Sequence, residues 1–174
     1  MKKSGLSRSP LHAAPEPSAD ALDRIDRRIL NHLQRDSRLS NQNLAELVGL
    51  SPAPCSRRVK RLRDEGYISR EVALLDPAKV GSSLIAFVGV ELDRQREDVL
   101  NAFERRIAQQ RQVQQCYFIS GESDYLLVVL CRDMDDYNDF VRNVLANEHN
   151  IKRFRTSFNL QRVKYETSVL IDEE

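Results

Sequence analysis

The sequence predicts an α+β chain of two modules, a small helical one followed by a single sheet backed by helices. Three observations lead there. Between Leu22 and Glu65 apolar residues recur at helical spacing, and between Leu84 and Leu160 strand-like and helix-like patterns alternate. Charge divides along the same line. Residues 21–75 hold 11 Lys and Arg against 7 Asp and Glu, a net of +4, and residues 76–174 hold 13 against 17, a net of −4, although the 174-residue chain carries only +1. A basic first module and an acidic second one imply that only the first approaches phosphates.

Residues 1–20, with Pro10, Pro15 and Pro17 among small polar side chains, are expected to form a disordered leader. They lack the apolar core of a signal peptide, and no later apolar run approaches the roughly 18 residues of a membrane span. The protein is therefore expected in the cytoplasm, without a membrane partner. From 21 to 66 three helices are predicted. Leu22, Ile25, Ile29 and Leu33 share one face of the first, with Asp23 and Asp26 where carboxylates suit a helix start. Ser40 caps a second helix through Leu44, Ala45, Leu47 and Val48, and Gly49 supplies its left-handed end.

The third helix follows at once. SPAPCSRRVKRLR, Ser51 to Arg63, carries five basic residues and no acid. Ser51 is an N-cap whose hydroxyl can accept a backbone N–H, and Pro52 suits the first helical position. Cys55, Val59 and Leu62 form a narrow apolar stripe. Two short helices joined by a tight turn, the second of them basic, are the pattern of helix-turn-helix DNA binding. Ala53, Pro54 and Ser56 are then closest to base edges, Arg57, Lys60 and Arg61 face the duplex, and Arg58 and Arg63 reach phosphates. A plain three-helix core with a solvated basic face is the competing interpretation. Gly66 ends the helix, and Tyr67 to Leu75, with Ile68, Val72, Leu74 and Leu75, fits a short β-hairpin or an extended wing within a hairpin linker over residues 67–80.

The second module, 81–174, orders its elements as βαββαβ. Strands are predicted at Leu84–Leu92, Val113–Ile119, Tyr125–Cys131 and Ile151–Leu160, with helices at Val99–Ala108 and Met134–Leu145. This is the ferredoxin-like plan of one antiparallel sheet with helices on one face. Yet Leu126 to Leu130 are apolar without a break, so the sheet's second face must also be covered. A second copy of the chain in a two-fold dimer does this, against the alternative of an unusual single-chain core. Between the middle strands, SGESDYLL offers Gly121 for a tight turn and Asp124 beside a buried strand. Turn N–H groups can hold a carboxylate and Asp124 an ammonium, which together suit an α-amino acid. A hairpin turn with a solvated Asp accounts for the same residues. Cys55, Cys116 and Cys131 are expected as buried, reduced thiols without metal spacing.

LDRIDRRIL, LSPAPCSRRVKRLRDEG and SGESDYLL, in this order and spacing, resemble the leucine-responsive regulatory protein and asparagine-regulator family of transcription factors, over Leu22 to about Leu170. The resemblance implies a winged-helix-like helix-turn-helix with its recognition helix at Ser51–Glu65, a β-hairpin linker, and dimers that often assemble into octamers. It also implies an amino-acid effector held near Gly121, Glu122, Ser123, Asp124 and Tyr125, with Thr156, Ser157, Phe158 and Asn159 on the pocket's other side. Ser123 stands where family members commonly carry a bulkier residue, so leucine specificity does not transfer.

The expected function is sequence-specific binding of double-stranded DNA, regulating amino-acid metabolism under control of a small effector. The alternative is an amino-acid-sensing regulatory subunit acting through protein contacts. Catalysis is not expected. His12, His32 and His149 are scattered, with no metal site, phosphate loop or base beside a nucleophile, so no catalytic residue and no cofactor other than an amino-acid effector is assigned.

Overall fold

The computed structural model describes residues 22–173, so the leader expected at 1–20 lies outside them. The chain divides into two units, one comprising the chain to Val72 together with the tail from Glu166, the other Ala73–Tyr165. The expected second module, 81–174, thus runs past the point where the chain leaves that unit.

In the first unit, α1 spans Arg24–Leu33, α2 Asn41–Val48 and α3 Pro52–Asp64. Asp23 and Asp26 form a capping box at the start of α1, each carboxylate accepting the other's backbone N–H at 2.8 and 3.3 Å. Ser40 caps α2 through the Asn43 N–H, and Gly49, at φ +75°, turns the chain into α3 where a side chain would be strained. Ile29, Leu44, Val59 and Leu62 are the centre of the core, closed at its edge by Tyr67 and Ile68. The apolar stripes predicted for the three helices are the faces they bury, except that Leu47 of α2, predicted with Leu44, Ala45 and Val48, is exposed.

The hairpin expected at 67–80 is not formed, since no strand occurs between Tyr67 and Ser83. The turn residues come too late. Asp76 and Pro77 follow Val72, Leu74 and Leu75, and the chain then closes into a 3-10 turn, Ala78–Val80, held by Ser82 N–H on the Pro77 carbonyl at 2.8 Å. No return strand remains, and Val72, Leu74 and Leu75 stay exposed.

The second unit contains β1 (Leu84–Leu92), α4 (Glu97–Ala108), β2 (Val113–Phe118), β3 (Tyr125–Cys131), α5 (Met134–Phe140, continued by a π-helical turn to Leu145) and β4 (Ile151–Phe158). The strands lie in the order β2-β3-β1-β4, all neighbours antiparallel, as βαββαβ requires. Ala86, Val88, Val90, Leu127 and Val129 point toward Leu100, Phe103 and Ile107 of α4 and Phe140 and Leu145 of α5. Their neighbours Ile85, Phe87, Leu126, Val128 and Leu130 form the opposite face with Tyr117, and Phe87 and Tyr117 remain 40% and 49% exposed. Cys55 and Cys131 are buried as expected, but Cys116, on the edge strand β2, is exposed.

Candidate DNA-binding helix and effector loop

Ser51 occupies the N-cap of α3 but makes no side-chain cap bond. The third helical residue, whose N–H a serine cap commonly takes, is Pro54, and proline has none. Beyond it α3 presents three faces. Cys55, Val59 and Leu62 are buried, whereas Ala53, Ser56, Arg57 and Lys60 are exposed on the far side.

The third face is ionic and belongs to α1. Arg58 donates to Asp23 at 2.5 Å and to Asp26 at 2.9 Å, and Arg61 donates to the other Asp26 oxygen. The Asp26 side chain is 1% exposed, so both guanidiniums are drawn to a buried charge. The bonds to Asp26 and then Asp23 push the Arg58 pKa above its usual value. At Asp23 partial burial pulls upward but is outweighed by the Asp26 N–H and by Arg58, leaving its carboxyl below the usual range. Arg63 pairs with Glu71 at 2.6 Å.

The expected roles therefore separate. Arg58 and Arg61 tie α3 to α1, and Arg63 pairs with Glu71. Arg57 and Lys60 show no ion pair among the described residues. Asp23 and Asp26 were legible as helix-start carboxylates, but not as partners of residues more than thirty positions later.

In the second unit the loop between β2 and β3 turns at Gly121, φ +140°. Asp124 accepts from the Leu92 N–H at 2.7 Å and from the Gln95 amide at 2.6 Å, one bond on each carboxylate oxygen. Tyr125 is buried between Phe103 and Phe118, its hydroxyl donating to Glu104 at 2.6 Å. Both residues help build the loop's foundation. Glu122 and Ser123 lie at its rim, where Arg155 of β4 pairs with Glu122 at 2.6 Å.

β4 splits its predicted residues between faces. Thr156 hydrogen-bonds the Tyr137 hydroxyl at 2.5 Å and Phe158 packs edge-on to the same ring, both on the helix side. Ser157 shares the outer face with Arg153 and Arg155, and the Asn159 N–H closes on the Ile85 carbonyl. A shallow cleft opens between Gly89, Glu91, Glu122, Ser123, Arg153, Phe154 and Arg155. Glu91 is held below its usual pKa by Lys152 and Arg153. Gly89, Glu91, Arg153 and Arg155 were missed in the sequence, although residue alternation places Arg153, Arg155 and Ser157 on one face of a strand.

Residues 22–69 match the family model for a winged helix-turn-helix DNA-binding domain and residues 85–169 the Lrp/AsnC ligand binding domain. The leucine-responsive regulatory protein of Escherichia coli is 39% identical over 86% of this chain and 92% of its own length. The chain belongs to the Lrp/AsnC family. Its solved relatives include a Neisseria meningitidis transcriptional regulator in complex with L-methionine, 37% identical with a TM-score of 0.82 over 87% of this chain and 97% of that one. An AsnC family regulator from Agrobacterium tumefaciens is 36% identical with a TM-score of 0.81, over 86% and 97%. The chain is thus an Lrp/AsnC transcriptional regulator with a DNA-binding and a ligand-binding domain, and these relatives are regulators, not enzymes. Nothing in them supports the alternative of a regulatory subunit acting through protein contacts. Among the described residues no helix is long and apolar enough to cross a membrane.

Proposed function

We propose that this Lrp/AsnC regulator reads a specific DNA sequence through the N-terminal half of α3 and adjusts that binding to the level of a free amino acid. The observation that carries the first half is the division of α3. Arg58 and Arg61 are committed to Asp26, while Ala53, Ser56, Arg57 and Lys60 form a separate outward face. Small residues at a helix start permit close approach to base edges, and Arg57 and Lys60 reach the phosphates beside them.

For the effector, the support is the cleft beside the loop. Glu122 and Arg155 stand together at its rim, and Glu91 and Arg153 pair deeper along β1 and β4. A zwitterion exchanges partners with such pairs, its carboxylate taken by an arginine and its ammonium by a glutamate. The relative's L-methionine complex agrees with a ligand of this class. Asp124 serves the site by fixing the end of β1.

Two copies pack through the outer sheet face, where Ile85, Phe87, Leu126, Val128 and Leu130 lack cover within the unit, and dimers assemble further, up to octamers. An amino acid that binds one arrangement of copies better than another changes the spacing of the α3 helices presented to DNA. The test is a gel shift on the DNA immediately upstream of the protein's own coding sequence, with salt titration and each of the twenty amino acids added in turn. Specific retardation that one amino acid alters is the expected outcome. Equal retardation of unrelated duplexes would refute sequence-specific recognition.

A further inference from the structure

Two buried polar or charged side chains occur among the described residues, Asp26 and Asn31, and both lie on α1. Asp26 holds α3. Asn31 faces the other way, onto the C-terminal tail. Its Nδ2 donates to the Ile171 carbonyl at 3.0 Å and to a Glu173 carboxylate oxygen at 2.9 Å, while its Oδ1 accepts from the Gln34 amide at 2.9 Å. Gln34, the C-cap of α1, binds both the N–H and the carbonyl of one tail residue. Its carbonyl oxygen accepts the Val169 N–H and its Nε2 donates to the Val169 carbonyl, each at 2.9 Å. These are the two bonds a neighbouring strand residue makes. Ile171, itself anchored through its carbonyl, packs its side chain against the core of the helical unit.

We propose that this face of α1 is a docking surface for an extended segment, that its occupant is the chain's own C-terminal tail, and that docking sets the DNA affinity of α3. The requirement for an occupant is local. Asn31 is 8% exposed, and both partners of its Nδ2 are in the tail. Without them a buried amide donor is left unsatisfied or must open to water. Since α1 also carries Asp26, loosening α1 at Asn31 loosens the anchor of Arg58 and Arg61. The chain leaves this unit after Val72 and returns at Glu166, so the docked segment emerges from the end of the ligand-binding unit. A strain delivered through β4 reaches the DNA-binding helix along a second covalent route besides the linker.

The coupling to DNA rests on the proposed role of α3, and the experiment separates the two. Full-length protein, a chain ending at Tyr165 and the double variant Asn31→Ala with Gln34→Ala are compared by amide hydrogen exchange, by sedimentation and by binding to the upstream duplex. The expected result is exchange in α1 and α3 faster by about tenfold in both altered proteins, with β1 and β3 unchanged. DNA affinity falls by about tenfold with it, at an unchanged number of subunits. A synthetic peptide of residues 160–174 restores protection to the shortened chain. Unchanged exchange in α1 overturns the docking claim. Faster exchange with full DNA affinity, or an affinity loss accompanied by loss of assembly, overturns the coupling. Absence of DNA binding by the full-length protein removes the reading of α3 instead, and the exchange data still decide whether the tail docks.

Discussion

Arg61 of α3 donates to the carboxylate of Asp26 in α1, a side chain only 1% exposed that also receives Arg58. One buried carboxylate therefore ties the first helix to the third at two points. Replacing it by Ala leaves two guanidiniums facing an apolar gap. Breaking a fully buried pair costs about 3–5 kcal/mol, and because Arg58 and Arg61 retain access to water the expected loss is nearer about 2 kcal/mol. Urea denaturation of Asp26→Ala measures it, and DNA affinity falls in parallel. A variant as stable as the parent shows that α3 is positioned by its apolar stripe alone.

The same geometry separates the basic residues of α3. Arg57→Ala and Lys60→Ala each remove an outward charge, so each lowers the slope of log affinity against log salt by about one and weakens all sequences alike. Arg58→Ala is expected to reduce stability while leaving that slope where it was. Salt titrations of the three variants against one duplex give the answer, and a reduced slope for Arg58→Ala returns that residue to the phosphates.

The helices and strands were legible because each buries one face, and their spacing records it. Leu84–Leu92 and Tyr125–Cys131 are observed at the residues where the sequence predicted strands, apolar on both sides. What pattern alone did not disclose are relations between distant segments. Asp26 is a helix-start acid by position and a buried ion-pair centre only because α3 folds back across it. Asp124 was legible as an acid beside a buried strand, but not as the acceptor of the Leu92 N–H and the Gln95 amide. The tail's KYETSVLI has strand-like composition, but it meets no sheet and bonds instead to two side-chain amides of α1.

Asp23 has a pH consequence. Its folded-state pKa lies below the unfolded value, so its contribution to stability is present above about pH 4 and is lost as the pH falls through the folded value. The side chain is 52% exposed, and the contribution is correspondingly small, below about 1 kcal/mol. Denaturation midpoints between pH 6 and about pH 3 should fall less for Asp23→Asn than for the parent. An identical decline in both proteins assigns the acid sensitivity to other carboxylates.

The cleft can be closed without touching its charged residues. A Cβ on Gly89 would meet Ser123 Oγ at 2.7 Å and Ser123 Cβ at 3.5 Å. The hydroxyl can rotate away, so Gly89→Ala should cost less than about 1 kcal/mol. It nevertheless narrows the space between β1 and the loop. Thermal-shift screening against the twenty amino acids should find a stabilising ligand for the parent and none for Gly89→Ala, with gel-shift affinity in the absence of ligand unchanged. Asp124→Ala should likewise lose the response, through the freed end of β1. If Gly89→Ala keeps the parent's full ligand response, the effector lies elsewhere.

The outer face of the sheet supplies the last test. Phe87 and Val128 are paired across β1 and β3 at its centre, with Ile85, Leu126 and Leu130 around them. Aromatic and aliphatic side chains grouped in this way gain roughly 25 cal/mol for each Å² taken from water, which drives two copies together. A charge at the centre of such a contact has no partner across a two-fold axis, because the axis sets the same charge near it. Val128→Lys is therefore expected to sediment as a monomer while its circular dichroism is unchanged, since residue 128 faces away from α4 and α5. DNA binding should weaken with it, because a monomer presents one recognition helix where a dimer presents two. A Val128→Lys protein that remains a dimer would move the contact between copies to another surface.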